Sequence, residues 1–281
     1  VLTNCLFNYL LIFGKFGFPK LGVTGAAIAT DISRYVECLL IIIYSFRKRS
    51  RFRYFEHAFS SMYIPKDIAK IITVKGMPLL INEFLWSSGM SLLSVSYSLH
   101  GISVVAGYSI SSTVMNLASI AFLALGSSIG IIIGKYLGAN RFDEAIDVNR
   151  KLIAFSLAMS VVLAVFVFMF GGLIPGIYNT TAESKEYASY FIKVCAIFMP
   201  FRALSNASYF TVRSGGKTMI TFFMDSVYVF CIPVAAAFTL FYVFRLSIWV
   251  IFPIVESLEI VKSSLGMYLV RKRIWLNNIA V

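Results

Sequence analysis

An all-α, polytopic membrane protein is the fold class this sequence predicts, and three observations predict it. The 281 residues are 59% hydrophobic and only 14% charged, whereas a soluble domain is roughly half apolar and a quarter charged. The apolar residues are gathered into blocks of about 20 residues or more, the length that crosses about 30 Å of hydrocarbon as a helix. Within the blocks there is no period-two alternation, and they are longer than the roughly ten-residue strands of a membrane barrel. Lipid admits only helices and closed barrels, because backbone polar groups find no water there, so the blocks read as helices.

Eight blocks are expected, at 1–14, 23–46, 68–98, 102–134, 150–175, 187–211, 219–244 and 247–270. The third and fourth exceed one membrane crossing and predict tilted, kinked or extended helices. Pro78 lies inside the third, where a proline removes a hydrogen bond and favours a bend. Basic residues punctuate the blocks and set the orientation. If the tract Arg47-Lys-Arg-Ser-Arg-Phe-Arg53 is cytoplasmic and the loops alternate, that side also receives Lys66, Lys70, Lys135, Arg141, Arg150, Lys151, Arg213, Lys217, Arg271, Lys272 and Arg273. The outer loops then hold only Lys15, Lys20, Lys185 and Arg245. This positive-inside bias predicts a cytoplasmic C-terminus.

The net charge of +12 is thereby read as topology and not as a nucleic-acid surface, and no nucleic-acid motif accompanies it. Cys5, Cys38, Cys195 and Cys231 stand singly in apolar runs, without metal-ligand spacing, and read as small packing residues. Gly126-Ser-Ser-Ile-Gly130 fits the G-x-S-x-G pattern of serine hydrolases. That chemistry needs a strand-to-helix turn and a base, and here the pattern lies inside a helical block. Gly126, Gly130, Gly134 and Gly138 instead predict a flat face for close helix packing. No enzymatic activity and no cofactor are expected. Tyr44-Ser-Phe-Arg-Lys-Arg49 and Tyr268-Leu-Val-Arg-Lys-Arg273 end blocks that are six apart, a weak sign of two similar halves. Each of those blocks carries ionisable residues at three-residue spacing: Asp31, Arg34 and Glu37 in one, Glu256, Glu259 and Lys262 in the other. Such spacing permits pairing along a helix.

Three segments carry a family resemblance. Gly22-Val-Thr-Gly-Ala-Ala-Ile-Ala-Thr30, preceded by the stretch from Gly14, is similar to the hinge before the sixth helix of the multidrug and toxic compound extrusion (MATE) transporters. Gly134-Lys-Tyr-Leu-Gly-Ala-Asn-Arg-Phe-Asp-Glu-Ala145 resembles the family's inner loop between helices eight and nine, and Arg213-Ser-Gly-Gly-Lys-Thr218 the loop between helices ten and eleven. Pro78, Glu83 and Trp86 stand as in the family's seventh helix. On this mapping the blocks correspond to helices five to twelve. Since the chain opens at Val1 inside an apolar run, the first four helices are expected to be missing. The expected organisation is residues 1–46 as the last two helices of an N-terminal lobe, 47–66 as a basic cytoplasmic linker, and 67–281 as a six-helix C-terminal lobe with a short tail.

The resemblance implies a cation-coupled exporter of two six-helix bundles that works by antiport: Na⁺ or H⁺ enters and an amphipathic organic cation leaves by alternating access. It implies a multi-pass protein of a bacterial-type inner membrane, monomeric when full-length. Glu83 is the leading cation-coupling candidate, because an ionisable group inside a span costs about 2.5–3.5 kcal/mol on insertion scales and is kept for function. Its carboxylate can hold Na⁺ through oxygen or take a proton. Asp225 is the second. Asn82, Trp86, Asn116, Tyr228 and Arg202 are expected to line the substrate cavity, with Tyr97, Tyr108 and Met115 as further aromatic or thioether surface. Arg202 stands where some Na⁺-linked relatives have an aspartate, so the coupling ion stays open. A lipid-linked saccharide flippase of the same superfamily and an inactive transporter fragment are the alternatives.

Overall fold

The computed structural model describes residues 1–47 and 64–277. His57, the tract from Lys48 to Arg53 and most of the expected 47–66 linker lie outside the described residues. The chain divides into two compact units, Val1–Ala69 and Lys70–Val281.

The first unit contains α1 (Leu2–Phe13) and α2 (Val23–Arg47). α1 stops at Gly14, which takes a left-handed conformation at φ 65°, the usual glycine helix stop. The chain then turns, and the Leu21 N–H donates to the Leu11 carbonyl at 2.9 Å. Gly25 permits the close pass of α2 over α1, since a Cβ there would lie 2.6 Å from the Leu11 carbonyl oxygen. A polar seam joins the two helices, with the Asn4 amide reaching the hydroxyls of Thr30 at 3.4 Å and Ser33 at 3.5 Å. The expected pairing along α2 is present between Arg34 and Glu37 at 2.8 Å, with both side chains exposed.

The second unit is built around one helix. α3 (Lys66–Ser98), α4 (Ile102–Gly138) and α5 (Phe142–Phe170) come first. A short 3₁₀ segment, Gly171–Ile177, leads to α6 (Ala182–Ser214). α7 (Thr218–Tyr242) and α8 (Ile248–Arg271) complete it. α6 packs against α4, α5, α7 and α8, and its start is fixed by Thr181, whose hydroxyl oxygen accepts the Ser184 N–H at 3.2 Å. That is a side-chain cap on an otherwise orphaned donor. Among the described residues, four stretches are long and apolar enough to cross a membrane: Ile102–Gly138, Phe142–Ile177, Ala182–Ser214 and Thr218–Tyr242. The other expected spans form helices at the expected places, but α2 and α8 each carry four charged residues, which lowers their apolar character.

α7 departs from a uniform α-helix. It contains π-helical turns at Phe223–Val227 and Phe230–Val234. Pro233 lies in the second and has no N–H to give to the preceding turn, so a wider turn there relieves the ladder. Helix α3, by contrast, continues through Pro78.

Buried apolar side chains form two clusters. One holds Tyr97, Phe191, Met199, Ile251 and Phe252. The other, toward the basic end of the bundle, holds Ile129, Ile133, Leu137, Ala145, Ala207 and Trp275. Trp275 sits on a short hook beyond α8 and donates its indole N–H to the Val270 carbonyl at 3.1 Å. Gly215 receives that hook, and a Cβ there would lie 2.1 Å from the Trp275 carbonyl oxygen.

Two readings of small residues are corrected. The glycine face of α4 is used only in its first half: a Cβ at Gly126 would lie 2.5 Å from the Phe210 ring and one at Gly130 3.5 Å, while one at Gly134 or Gly138 would meet nothing within 4 Å. Only Cys195 of the four cysteines is buried as a packing residue; Cys5, Cys38 and Cys231 are exposed. A further close α4–α6 contact, against the backbone of α6, is at Gly107, which sequence spacing did not single out; a Cβ there would lie 2.6 Å from Tyr187 Cβ and 3.0 Å from the Ala188 nitrogen. Gly107→Ala must therefore push α6 away from α4 and is expected to lower the melting temperature in detergent. Gly134→Ala, in open space, is expected to leave it unchanged or raise it slightly, by the helix propensity of up to about 1 kcal/mol. Differential scanning fluorimetry of the two variants checks the contrast.

Candidate functional site

The charged residues of the second unit meet where α8 faces α6 and α7. Glu256, Glu259 and Lys262 follow one another at steps of three. Three residues turn a helix by about 300°, so each step lags the axis by about 60°. The stripe therefore winds around α8, and its two ends address different neighbours. Glu256 accepts a hydrogen bond from Arg202 of α6 at 2.5 Å, and Lys262 donates to Asp225 of α7 at 2.7 Å. Glu256 is 8% exposed, and Lys262 and Asp225 are 13% and 18% exposed. At that burial each pair must be complete, because a lone ion in such surroundings costs several kcal/mol.

Glu259 lies between the two pairs along α8, half-buried. It makes no ion pair among the described residues but interacts electrostatically with both Arg202 and Lys262. Against these two cations stand three carboxylates, Asp225, Glu256 and Glu259, so the cluster carries one net negative charge. Polar groups without partners surround Arg202: its own Nε, the Ser205 hydroxyl and the Tyr97 hydroxyl are buried and unpaired in the structure.

A second lock joins α3 to α7. The Ser226 hydroxyl lies 2.7 Å from both the backbone carbonyl and the side-chain oxygen of Asn82. One turn further, Gly89 admits Val229, whose methyl would be 2.7 Å from a Cβ at that position. Asp225 and Ser226 are adjacent in the first π turn of α7. They point to different helices, α8 and α3, and the wide turn thus holds both neighbours at once. Glu83 follows Asn82, is exposed, and forms no ion pair among the described residues. Tyr209, which accepts from Arg213 at 3.3 Å, is within electrostatic range of both Glu83 and Asp225.

The sequence-predicted residues thus separate. Asp225 and Asn82 are brought together through Ser226, and Arg202 belongs to the neighbouring pair. Asn82 and Tyr228 are buried, Trp86 is 40% exposed, and Asn116 is exposed on α4. The Tyr228 hydroxyl is engaged, donating to the Leu258 carbonyl at 2.6 Å. The pairing along α8 that the spacing permits needs correction: Lys262 pairs across to Asp225 of α7 and not along α8 with Glu259. Ser127 and Ser128 of the G-x-S-x-G pattern both donate to the Ala124 carbonyl inside α4. No group of three or more His, Cys, Asp or Glu able to hold a metal is found among the described residues.

Arg202→Met strands Glu256 and is expected to cost about 3–5 kcal/mol, the usual penalty for breaking a buried pair. Adding Glu256→Leu to the same chain is expected to recover most of that loss, as read by the unfolding midpoints of the two single variants and the double variant.

With this geometry in place, known proteins give a consistent picture. The family model described as MatE matches residues 78–239, more than half of the chain. The Probable multidrug resistance protein NorM of Thermotoga maritima is 26% identical over 246 residues, which is 87% of this chain and 52% of that protein. The protein of the same name from Bacillus cereus strain ATCC 14579 is 31% identical over 200 residues, 69% of this chain and 43% of its own length. The chain spans about half the length of these curated relatives. Among solved structures, a MOP-superfamily transporter from Pyrococcus furiosus overlays with a TM-score of 0.83 at 16% identity, covering 97% of this chain and 60% of that one. An outward-facing MATE multidrug resistance transporter overlays at 0.81 with 18% identity and the same coverage. At such identities the likeness establishes the fold, that of the MATE transporters. This multi-pass, helical membrane protein belongs to the MatE family of transporters.

Proposed function

We propose that this chain contributes the carboxylate-bearing lobe of a multidrug exporter, and that the complete protein exchanges amphipathic organic cations for Na⁺ or H⁺ by alternating access. The single observation that carries the reading is Glu83. It is an exposed carboxylate without an ion pair on α3, one residue from the Asn82–Ser226 lock that fixes its helix to α7. A carboxylate so placed can bind a metal cation or a proton and can also meet a cationic drug, so ion and drug compete for one charge. The relatives' names, which speak of multidrug resistance, point the same way.

Asp225 takes a different role in this reading. Lys262 already neutralises it, so it couples to the cation through the α3–α7 lock and not by direct contact. Arg202 likewise serves as the built-in counter-ion of Glu256. That pairing removes the free positive charge that would favour a flippase for anionic lipid-linked saccharides. The two units fit the last two helices of an N-terminal lobe and a six-helix C-terminal lobe, with the C-terminus on the cytoplasmic face of a bacterial-type inner membrane.

Ethidium efflux from cells that lack their own pumps and express the full-length gene product tests the proposal, with Na⁺ and pH gradients imposed separately. Efflux is expected to follow one of the gradients and to fall to background in Glu83→Gln at unchanged membrane content. Efflux by that variant at the wild-type rate would overturn the role of Glu83, and no response to either gradient would overturn the antiport.

A further inference from the structure

A cavity of about 440 Å³ opens between α5 and α8 at the basic end of the second unit, within the size range of small-molecule sites. Its composition is unusual for a gap between helices. Arg150 of α5 and Arg271 and Arg273 at the end of α8 line it, together with the apolar surfaces of Met267 and Trp275. No carboxylate lines it, although both ends of the neighbouring stretch neutralise their own charges: Arg141 pairs with Glu144, and Lys151 with Asp147 at 2.7 Å. Arg150, Arg271 and Arg273 form no ion pair among the described residues. Three arginines thus line one cavity, with no carboxylate lining it among the described residues.

The walls are built and not incidental. Trp275 is 1% exposed, and its hook is seated on Gly215 with no room for a Cβ. Arg273, which follows α8, adopts φ 57°, a left-handed conformation that a non-glycine residue takes only when its surroundings hold it. Asn149 on the α5 wall is buried and tied to α6 by the Thr211 hydroxyl, which donates to its side-chain oxygen at 2.8 Å. The hook thus brings Arg273 to the same cavity as Arg150.

We propose that this cavity is a binding site for the headgroup phosphate of an anionic phospholipid in the leaflet that borders the basic end of the bundle. Guanidinium groups suit this ligand, since each presents a planar fork of donors that matches phosphate oxygens in pairs. Basic pockets between spanning helices at the membrane surface are of the kind that hold anionic headgroups. The apolar side chains of Met267 and Trp275 that line the cavity beside the arginines favour an amphiphile over a free ion. The bound lipid would bridge α5 to the end of α8 and clamp the hook that carries Trp275.

Native mass spectrometry of the full chain in mild detergent tests this, with phosphatidylglycerol and phosphatidylcholine offered at equal concentration. Phosphatidylglycerol is expected to be retained preferentially, and each arginine removed as Arg150→Gln, Arg271→Gln or Arg273→Gln to lower its retention about fivefold, the effect of one basic residue at an anionic surface. Lys272→Gln is the control: it removes the same charge from the same segment, but Lys272 lies over the Tyr268 ring at 4.7 Å and does not line the cavity. It is expected to retain the lipid, and Arg271→Lys to retain it in part. Equal retention of the two lipids, or equal loss in Lys272→Gln and the arginine variants, would overturn the site. Displacement of phosphatidylglycerol by millimolar inorganic phosphate would overturn the lipid as occupant in favour of the free anion. These outcomes read binding alone and do not depend on transport.

Discussion

An ion inside a low-dielectric bundle cannot stand alone, and most of the second unit is arranged around that constraint. α8 brings two carboxylates and an ammonium into the interior, and each end of the stripe has drawn a partner from another helix: Arg202 from α6 and Asp225 from α7. The pairs fix the rotation of α8 about its axis more strictly than apolar packing alone, because a rotation that kept the greasy contacts would still separate charges. They also fix depth, since neither pair survives a slide of one turn. Glu259 lies between the two pairs and joins neither among the described residues.

How much of this was legible before the structure depends on the range of the interaction involved. Helix positions follow from local composition, and all eight expected blocks are helical. The glycine hinge at Gly14 and the basic ends of α2, α4, α6 and α8 were readable for the same reason. Partners were not. Asn82 and Ser226 are 144 residues apart, and nothing in either neighbourhood marks the other. The spacing of Glu259 and Lys262 permits a bond along the helix, but the burial of Asp225 opposite Lys262 makes the cross-helix pair the better use of the ammonium. That choice is a property of packing and has no local signature. The four-residue glycine repeat was over-read in the same way: spacing shows that a close contact is possible at each position, while the course of α6 decides that only Gly126 and Gly130 receive one.

The candidate site illustrates a division between residues that hold and residues that are held ready. Glu256, Lys262, Asp225, Asn82 and Tyr228 each have a polar group engaged within the bundle, as does Arg202 through one end of its guanidinium. Glu83 and Asn116 are exposed. A list of polar residues in apolar segments mixes the two kinds, and only the bonds separate them. Membership in the transporter family raises the interest of Glu83, but it is the engagement of its neighbour Asn82 that gives its carboxylate a defined position.

The two π turns of α7 have a consequence for phase. A π turn contains one residue more than the α turn it replaces, and one residue corresponds to about 100° of rotation. Residues on either side of Phe223–Val227 are therefore out of step with the continuous helix that their spacing describes, and those beyond Phe230–Val234 are out of step again. The helix works like a vernier: two small offsets along its length set which side chains each neighbour reads. The angular positions of Thr218 and Tyr242 are governed by the geometry of those two turns and not by the number of residues between them.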